Sequence, residues 1–136
     1  MAGEKTRNGG QWTEARFTSF VKGALRQATM KWGPKNSVLS KARTRRGFYL
    51  CAGCNQEVPA TYKEERKRVK NVHVDHNPPV IDPELGWQSW DSFIERLFCE
   101  EDKLRVLCTA CHKQVTDDEK QVAKSRRERE KNGTDE

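Results

Sequence analysis

A chain of 136 residues with 34% hydrophobic content and a mean hydropathy of −1.00 has material for one domain with a thin core, and its longest apolar runs are far too short to cross a bilayer. Its 26 Lys/Arg against 20 Asp/Glu give +6, unevenly spread: residues 1–50 carry eleven Lys/Arg against two acids, residues 51–136 fifteen against eighteen. A basic arm of that density suggests a polyanion, most simply a nucleic-acid backbone, with a solvated, solubilising face as the plainer alternative.

Residues 1–11 are polar, include Gly9-Gly10, and read as a disordered leader. Thr13 is placed to cap a helix in which Phe17, Phe20, Val21, Ala24, Leu25 and Ala28 recur at helical spacing, and Trp32-Gly33-Pro34 is expected to end it. Asn36 or Ser37 can cap a second helix from about Val38 to Arg46, ended by Gly47. Its Lys41, Arg43, Arg45 and Arg46 have no acidic neighbour in sequence and are the first candidates for phosphate contact. Residues 12–47 thus form a basic, helical N-terminal extension to a core expected over residues 48–122, with a charged tail over 123–136.

Within that core, Phe48-Tyr49-Leu50 leads into Cys51-Ala52-Gly53-Cys54, where Gly53 suits a tight knuckle turn. Pro59 to Lys70 is an exposed loop or hairpin whose Arg66 and Arg68 are further phosphate candidates, though a solvated loop explains them equally well. Val72-His73-Val74-Asp75-His76 alternates as a strand does, so His73 and Asp75 share one face, and Pro78-Pro79 stops it. Ser89 then caps a short helix whose Trp90, Phe93, Ile94, Leu97 and Phe98 make an apolar stripe suited to the core. Leu104 to Leu107 predicts a second strand, and a helix follows from Cys108 to Lys124. The fold class expected is α+β.

Four of the five cysteines fall in two pairs, Cys51/Cys54 and Cys108/Cys111. Two tight turns offering four thiolates suit a tetrahedral structural zinc, whose closed shell leaves no position for chemistry. A redox Cys-x-x-Cys is the rival reading, which the second pair makes hard to sustain. No signal-peptide core precedes the cysteines, so the expected state is soluble and intracellular, with reduced thiols. Cys99 has no partner at knuckle spacing and reads as a packed thiol. Asp75 and His112 offer one carboxylate and one imidazole, a partial and open metal site with room for water and phosphate oxygens. His76, adjacent to Asp75 on a strand, points to the other face and has a ring suited to taking a proton from water. For any one of these histidines a hydrogen-bonded structural role is the simpler explanation.

Taken together, Cys-x-x-Cys, then Val-His-Val-Asp-His-x-x-Pro, then Leu-x-x-Leu-Cys-x-x-Cys-His-Lys resembles the HNH endonuclease family in its zinc-knuckle subtype. The connector Asp82-Pro83-Glu84 and the helix Trp90 to Cys99 resemble small HNH proteins of bacteriophages, and the likeness covers roughly residues 12 to 120. The resemblance implies a ββα-metal core and metal-dependent hydrolysis of DNA phosphodiesters, by nicking or double-strand cleavage, in homing, packaging or host-DNA degradation. It implies Asp75 and His112 as ligands of a catalytic Mg²⁺ or Mn²⁺, His76 as general base, and Cys51, Cys54, Cys108 and Cys111 as ligands of a structural Zn²⁺. DNA would be the partner, with neither a membrane nor a small-molecule substrate, in the host cytoplasm for a phage-encoded enzyme. One position departs: where the family places Asn before the Leu-x-x-Leu-Cys strand, this chain has Lys103, and an ammonium cannot accept the hydrogen bond that an Asn side chain would. Asp102 could replace the Asn, or Lys103 could bind phosphate. His73 is either an auxiliary ligand or a hydrogen-bond partner behind the ligands. The alternative function is a non-catalytic, zinc-dependent nucleic-acid-binding module derived from such a nuclease.

Overall fold

Two five-residue strands carry most of the sequence's chemistry. In the computed structural model, which describes residues 3–133, β8 (Val72–His76) pairs antiparallel with β9 (Leu104–Cys108), matching Val72 to Cys108 and Asp75 to Arg105. The architecture is mixed α+β, and the chain divides at Trp32/Gly33 into two compact units.

In the first unit, β1 (Lys5–Arg7) pairs with β2 (Trp12–Thr13) across a turn in which Asn8, Gly9 and Gly10 all have positive φ. The leader expected to be disordered is therefore a hairpin over these residues; residues 1 and 2 lie outside the described ones. Gly9-Gly10 serves as turn chemistry, because glycine adopts left-handed backbone without a Cβ clash. The helix α1 (Glu14–Ala28) begins as expected, with Thr13 Oγ1 accepting from Arg16 N at 3.2 Å. Arg7 bonds Glu14 at 2.8 and 3.0 Å and lies 4.2 Å over the Phe17 ring, while Phe20 meets Trp12 at 4.9 Å. Phe17 and Phe20 of the apolar stripe thus meet the hairpin, but no residue of α1 is buried, so the stripe is not the core it was expected to be.

The second unit opens with α2 (Gly33–Ala42), so Gly33-Pro34 begins a helix instead of only ending one. Proline in a first turn loses nothing, since that N–H has no intrahelical acceptor. The same helix stops at Ala42, short of the Arg46 expected. Arg43 to Arg45 leave it as β3 (Arg43–Arg45), which pairs with β4 (Phe48–Leu50) around Gly47 at φ 82°. Here β-pairing overrides helix propensity, and β5 (Glu57–Pro59) completes a three-stranded sheet. The charged segment that follows is a hairpin of β6 (Thr61–Glu64) and β7 (Lys67–Lys70).

After β8 a connector leads to α3 (Trp90–Leu97), capped by Ser89 Oγ accepting from Ser92 N at 3.1 Å. Its Phe93 and Leu97, four apart and so on one face, are fully buried, as is Leu107 on β9. Each such side chain contributes about 1.5–3 kcal/mol. Only nine hydrophobic residues, two of them cysteines, are buried to this degree among the described ones. The thin core foreseen from composition is what folds. The last helix, α4 (Thr109–Gly133), lies against both β8 and β9 and runs past the expected end at Lys124, so the charged tail is helical to Gly133. Residues 134–136 of that tail are outside the described ones. No described helix is long and apolar enough to cross a membrane.

Candidate metal centres

The first knuckle follows β4 and the second closes β9, so the pairing of the strands decides where the four sulfurs meet. Cys51, Cys54, Cys108 and Cys111 place their Sγ atoms within 4.8 Å of one another. A tetrahedron with Zn–S bonds of about 2.3 Å needs sulfurs about 3.8 Å apart, so small side-chain adjustments suffice. Gly53 N and Cys108 N both donate to Cys51 Sγ at 3.3 Å. A Cβ at Gly53 would sit 2.9 Å from Cys111 Cβ and 3.0 Å from its Sγ, so the turn admits only glycine. Burial works to raise the Cys51 thiol, but donors from Cys108, Cys54 and Gly53 bring it down to about 6. Cys111, donating to Cys108 and partly buried, is pushed up to about 12. A soft cation bound by these sulfurs would displace the thiol protons. These four cysteines could hold a metal ion, and the donor set suits zinc. They are the only converging group of three or more His, Cys, Asp and Glu among the described residues. Cys99 stands apart, its thiol raised mainly by burial.

On the other side of the hairpin, one strand face presents His73 and Asp75 to the first turn of α4. His112 Nε2 lies 3.9 Å from Asp75 Oδ1, and Arg105, the cross-strand neighbour of Asp75, donates from Nε to Oδ2 at 3.0 Å. One carboxylate oxygen is thereby committed to Arg105 and the other turned to His112. The Asp75 side chain is only 13% exposed against 38% for His112, so the pair opens to solvent on the imidazole side. The rings of His73 and His112 stack at 4.8 Å and 23°. Thr109 Oγ1 donates to Lys70 O at 3.3 Å, so it accepts from His73 Nε2 at 3.0 Å. Burial first, then His112 and Lys70, lowers the His73 pKa and keeps that ring neutral. His73 therefore supports the His112 ring.

His76 turns to the opposite face, as strand alternation requires, and its Nε2 lies 2.9 Å from Leu97 O at the end of α3. A carbonyl only accepts, so this contact places the proton on Nε2 and makes Nδ1 the basic nitrogen of the neutral ring. Lys103 ends a 3₁₀ turn, Glu101–Lys103, and its carbonyl accepts from Asn77 N at 2.9 Å. The loop after His76 is thus pinned by the backbone of residue 103. Neither an Asn side chain there nor Asp102 is needed for that bond. Lys103 and Asp102 line a pocket of about 380 Å³ with Arg96 and Cys99.

Glu119 has no signature in sequence beyond lying seven residues after His112, which returns to the same helical face. Burial raises its pKa most, Asp75 raises it further, and Arg105 and His112 oppose. It therefore lies in the field of the Asp75 site. Arg105 was equally hidden until the strand register placed it opposite Asp75.

The phosphate candidates scatter. Lys41 is not free of acids: Glu101, distant in sequence, holds it at 3.1 Å. Arg45 bonds Glu57 at 3.0 Å and lies 3.8 Å over Phe48, so it too has an acidic neighbour that sequence separation concealed. Arg43 is exposed on β3, Arg46 and Arg66 are exposed at hairpin turns, and Arg68 Nε donates to Thr61 Oγ1 at 2.9 Å. No protein-family model, curated protein or solved structure matches the chain.

Proposed function

We propose that the protein is a metal-dependent endonuclease of the HNH type, hydrolysing DNA phosphodiesters with β8, β9 and the start of α4 as its ββα-metal core. The observation that carries this reading is the approach of Asp75 Oδ1 to His112 Nε2, 3.9 Å apart and open to solvent, with His76 next along the same strand. An oxygen and a nitrogen donor with open positions suit Mg²⁺ or Mn²⁺, which when bound supplies a Lewis acid for phosphate oxygens and the leaving 3′-oxygen.

The chain's own groups have separable tasks. Asp75 and His112 would hold the ion; Arg105 keeps Asp75 aimed, and His73 keeps the His112 plane fixed. His76 would take the proton of the attacking water, its ring held by the contact of Nε2 with Leu97 O. The expected behaviour is nicking of supercoiled plasmid that requires added Mg²⁺ or Mn²⁺. It should be abolished in Asp75→Asn and His112→Ala, with zinc content unchanged by elemental analysis. Nicking that persists without either ion, or in both variants, would contradict the assignment.

A second reading, a zinc-dependent nucleic-acid-binding module without catalysis, draws on Lys103 and on the orientation of His76 toward α3. Under that reading the purified protein binds DNA and never nicks it, and Lys103→Asn restores no activity.

A further inference from the structure

Beyond Asp75, α4 and the connector before α3 line an open pocket of about 270 Å³, with Asp82, Gly86, Glu119, Lys120, Arg126 and Arg127 among its walls. Glu119 marks its end nearest the Asp75 site. Arg126, seven residues on, lies about 10 Å further along the helix.

Arg126 is held in an unusual state. Its side chain is only 18% exposed, and its Nε is buried with no hydrogen-bond partner among the described residues. The nearest carboxylate, Glu130, is 3.9 Å from NH1, beyond hydrogen-bond reach. The guanidinium lies against Gly86, where any Cβ would collide with it, and Gly86 itself has φ +74°. The carboxylates of the connector are otherwise engaged: Asp82 Oδ1 accepts from Glu84 N at 2.8 Å, and Glu84 meets Arg129 at 3.3 Å. A partly buried guanidinium whose nearest carboxylate lies out of hydrogen-bond reach suits an oxyanion, and its planar fork matches phosphate.

We propose that this pocket is a second nucleic-acid site, in which Arg126 binds one phosphate of the DNA backbone while exposed Lys120 and Arg127 form its rim. The proposal rests on the endonuclease reading for the identity of the polyanion. Arg126 follows His112 by fourteen residues, about 21 Å along α4. At about 3.4 Å of duplex per phosphate, that is roughly six steps from the cut. The site would hold flanking duplex, away from the scissile bond.

The test is fluorescence anisotropy of a labelled duplex with the zinc-loaded full chain, without Mg²⁺, over a range of salt. Arg126→Gln should flatten the slope of log affinity against log salt by about 0.9, the value for one lost phosphate contact. Arg127→Gln, an exposed change that leaves the packing against Gly86 intact, should weaken binding in the same direction. A duplex too short to reach from the cut to Arg126 should bind wild type and both variants alike. Unchanged slopes in both variants on the long duplex, with wild type still nicking plasmid, would overturn the pocket alone and leave Arg126 as a pin for the Gly86 turn. Wild type that nicks nothing yet shows the slope changes would overturn the endonuclease reading and keep the pocket. No DNA binding by wild type would overturn both.

Discussion

The four-cysteine cluster and the Asp75–His112 pair share one hairpin and the first turn of one helix, but the first is a closed set of sulfurs that could hold a metal ion and the second an open pair of side chains. Around Cys51 the backbone supplies donors, Gly53 leaves no room for a side chain, and the sulfurs complete a shell by themselves. Around Asp75 two side chains converge, an arginine takes one carboxylate oxygen, and one flank faces solvent. A closed shell can only stabilise; an open pair leaves one flank to solvent, with Arg105 as the counter-charge of Asp75. The difference teaches where stability and function separate in a chain with so small a core.

The largest effect should come from the closed site. Structural zinc contributes about 10–16 kcal/mol in small zinc-binding peptides, as much as the whole stability of an ordinary domain. Chelation or Cys108→Ser should therefore abolish the cooperative thermal transition seen by circular dichroism, and an unchanged melt would remove zinc from the account. Because Cys111 is pushed up to about 12, zinc uptake at pH 7 should also release protons, which a weakly buffered indicator will register.

The open site should behave oppositely, tolerating change in the fold while losing function. Lys103→Asn is expected to alter nicking no more than a few-fold, because the bond it would supply is already made by the residue 103 carbonyl to Asn77 N. A gain of roughly 10²-fold or more would show that the side chain matters after all. Glu119→Gln should be smaller still and of opposite sign in stability. Burial and Asp75 raise the Glu119 pKa above the usual carboxylate range, so the group favours folding below its unfolded pKa and opposes it as pH rises through the folded value. Without added Mg²⁺ the variant should melt roughly 1–3 °C higher at pH 7, with the difference gone below about pH 4. A lower melting temperature at pH 7 would mean that Glu119 is paired, not merely crowded.

The closed site was legible in the sequence because knuckle spacing is local: two turns of four residues each announce their own geometry. So were the Thr13 and Ser89 caps, the Val72 to His76 strand and the opposed faces of Asp75 and His76, all of which depend on neighbours within a few residues. What stayed hidden depends on register or on contacts far apart in the chain. Arg105 meets Asp75 across thirty residues, Lys41 meets Glu101 across sixty, and Arg45 was taken from a helix into a strand by pairing with Phe48. Gly9-Gly10 was read as part of a disordered leader and Gly33-Pro34 as a helix end, when the first turns a hairpin and the second starts a helix, since the same residues suit both purposes.

The central claim is that His76 acts as a base beside an open metal site. It is tested most directly by supercoiled-plasmid relaxation with zinc-loaded wild type and His76→Ala in parallel, each with Mg²⁺ or Mn²⁺. Metal-dependent nicking that falls by about 10²–10⁴-fold in the variant, with melting temperature and DNA affinity retained, is the predicted result. Equal nicking by both proteins, or none by a wild type that holds zinc and binds DNA, would contradict it.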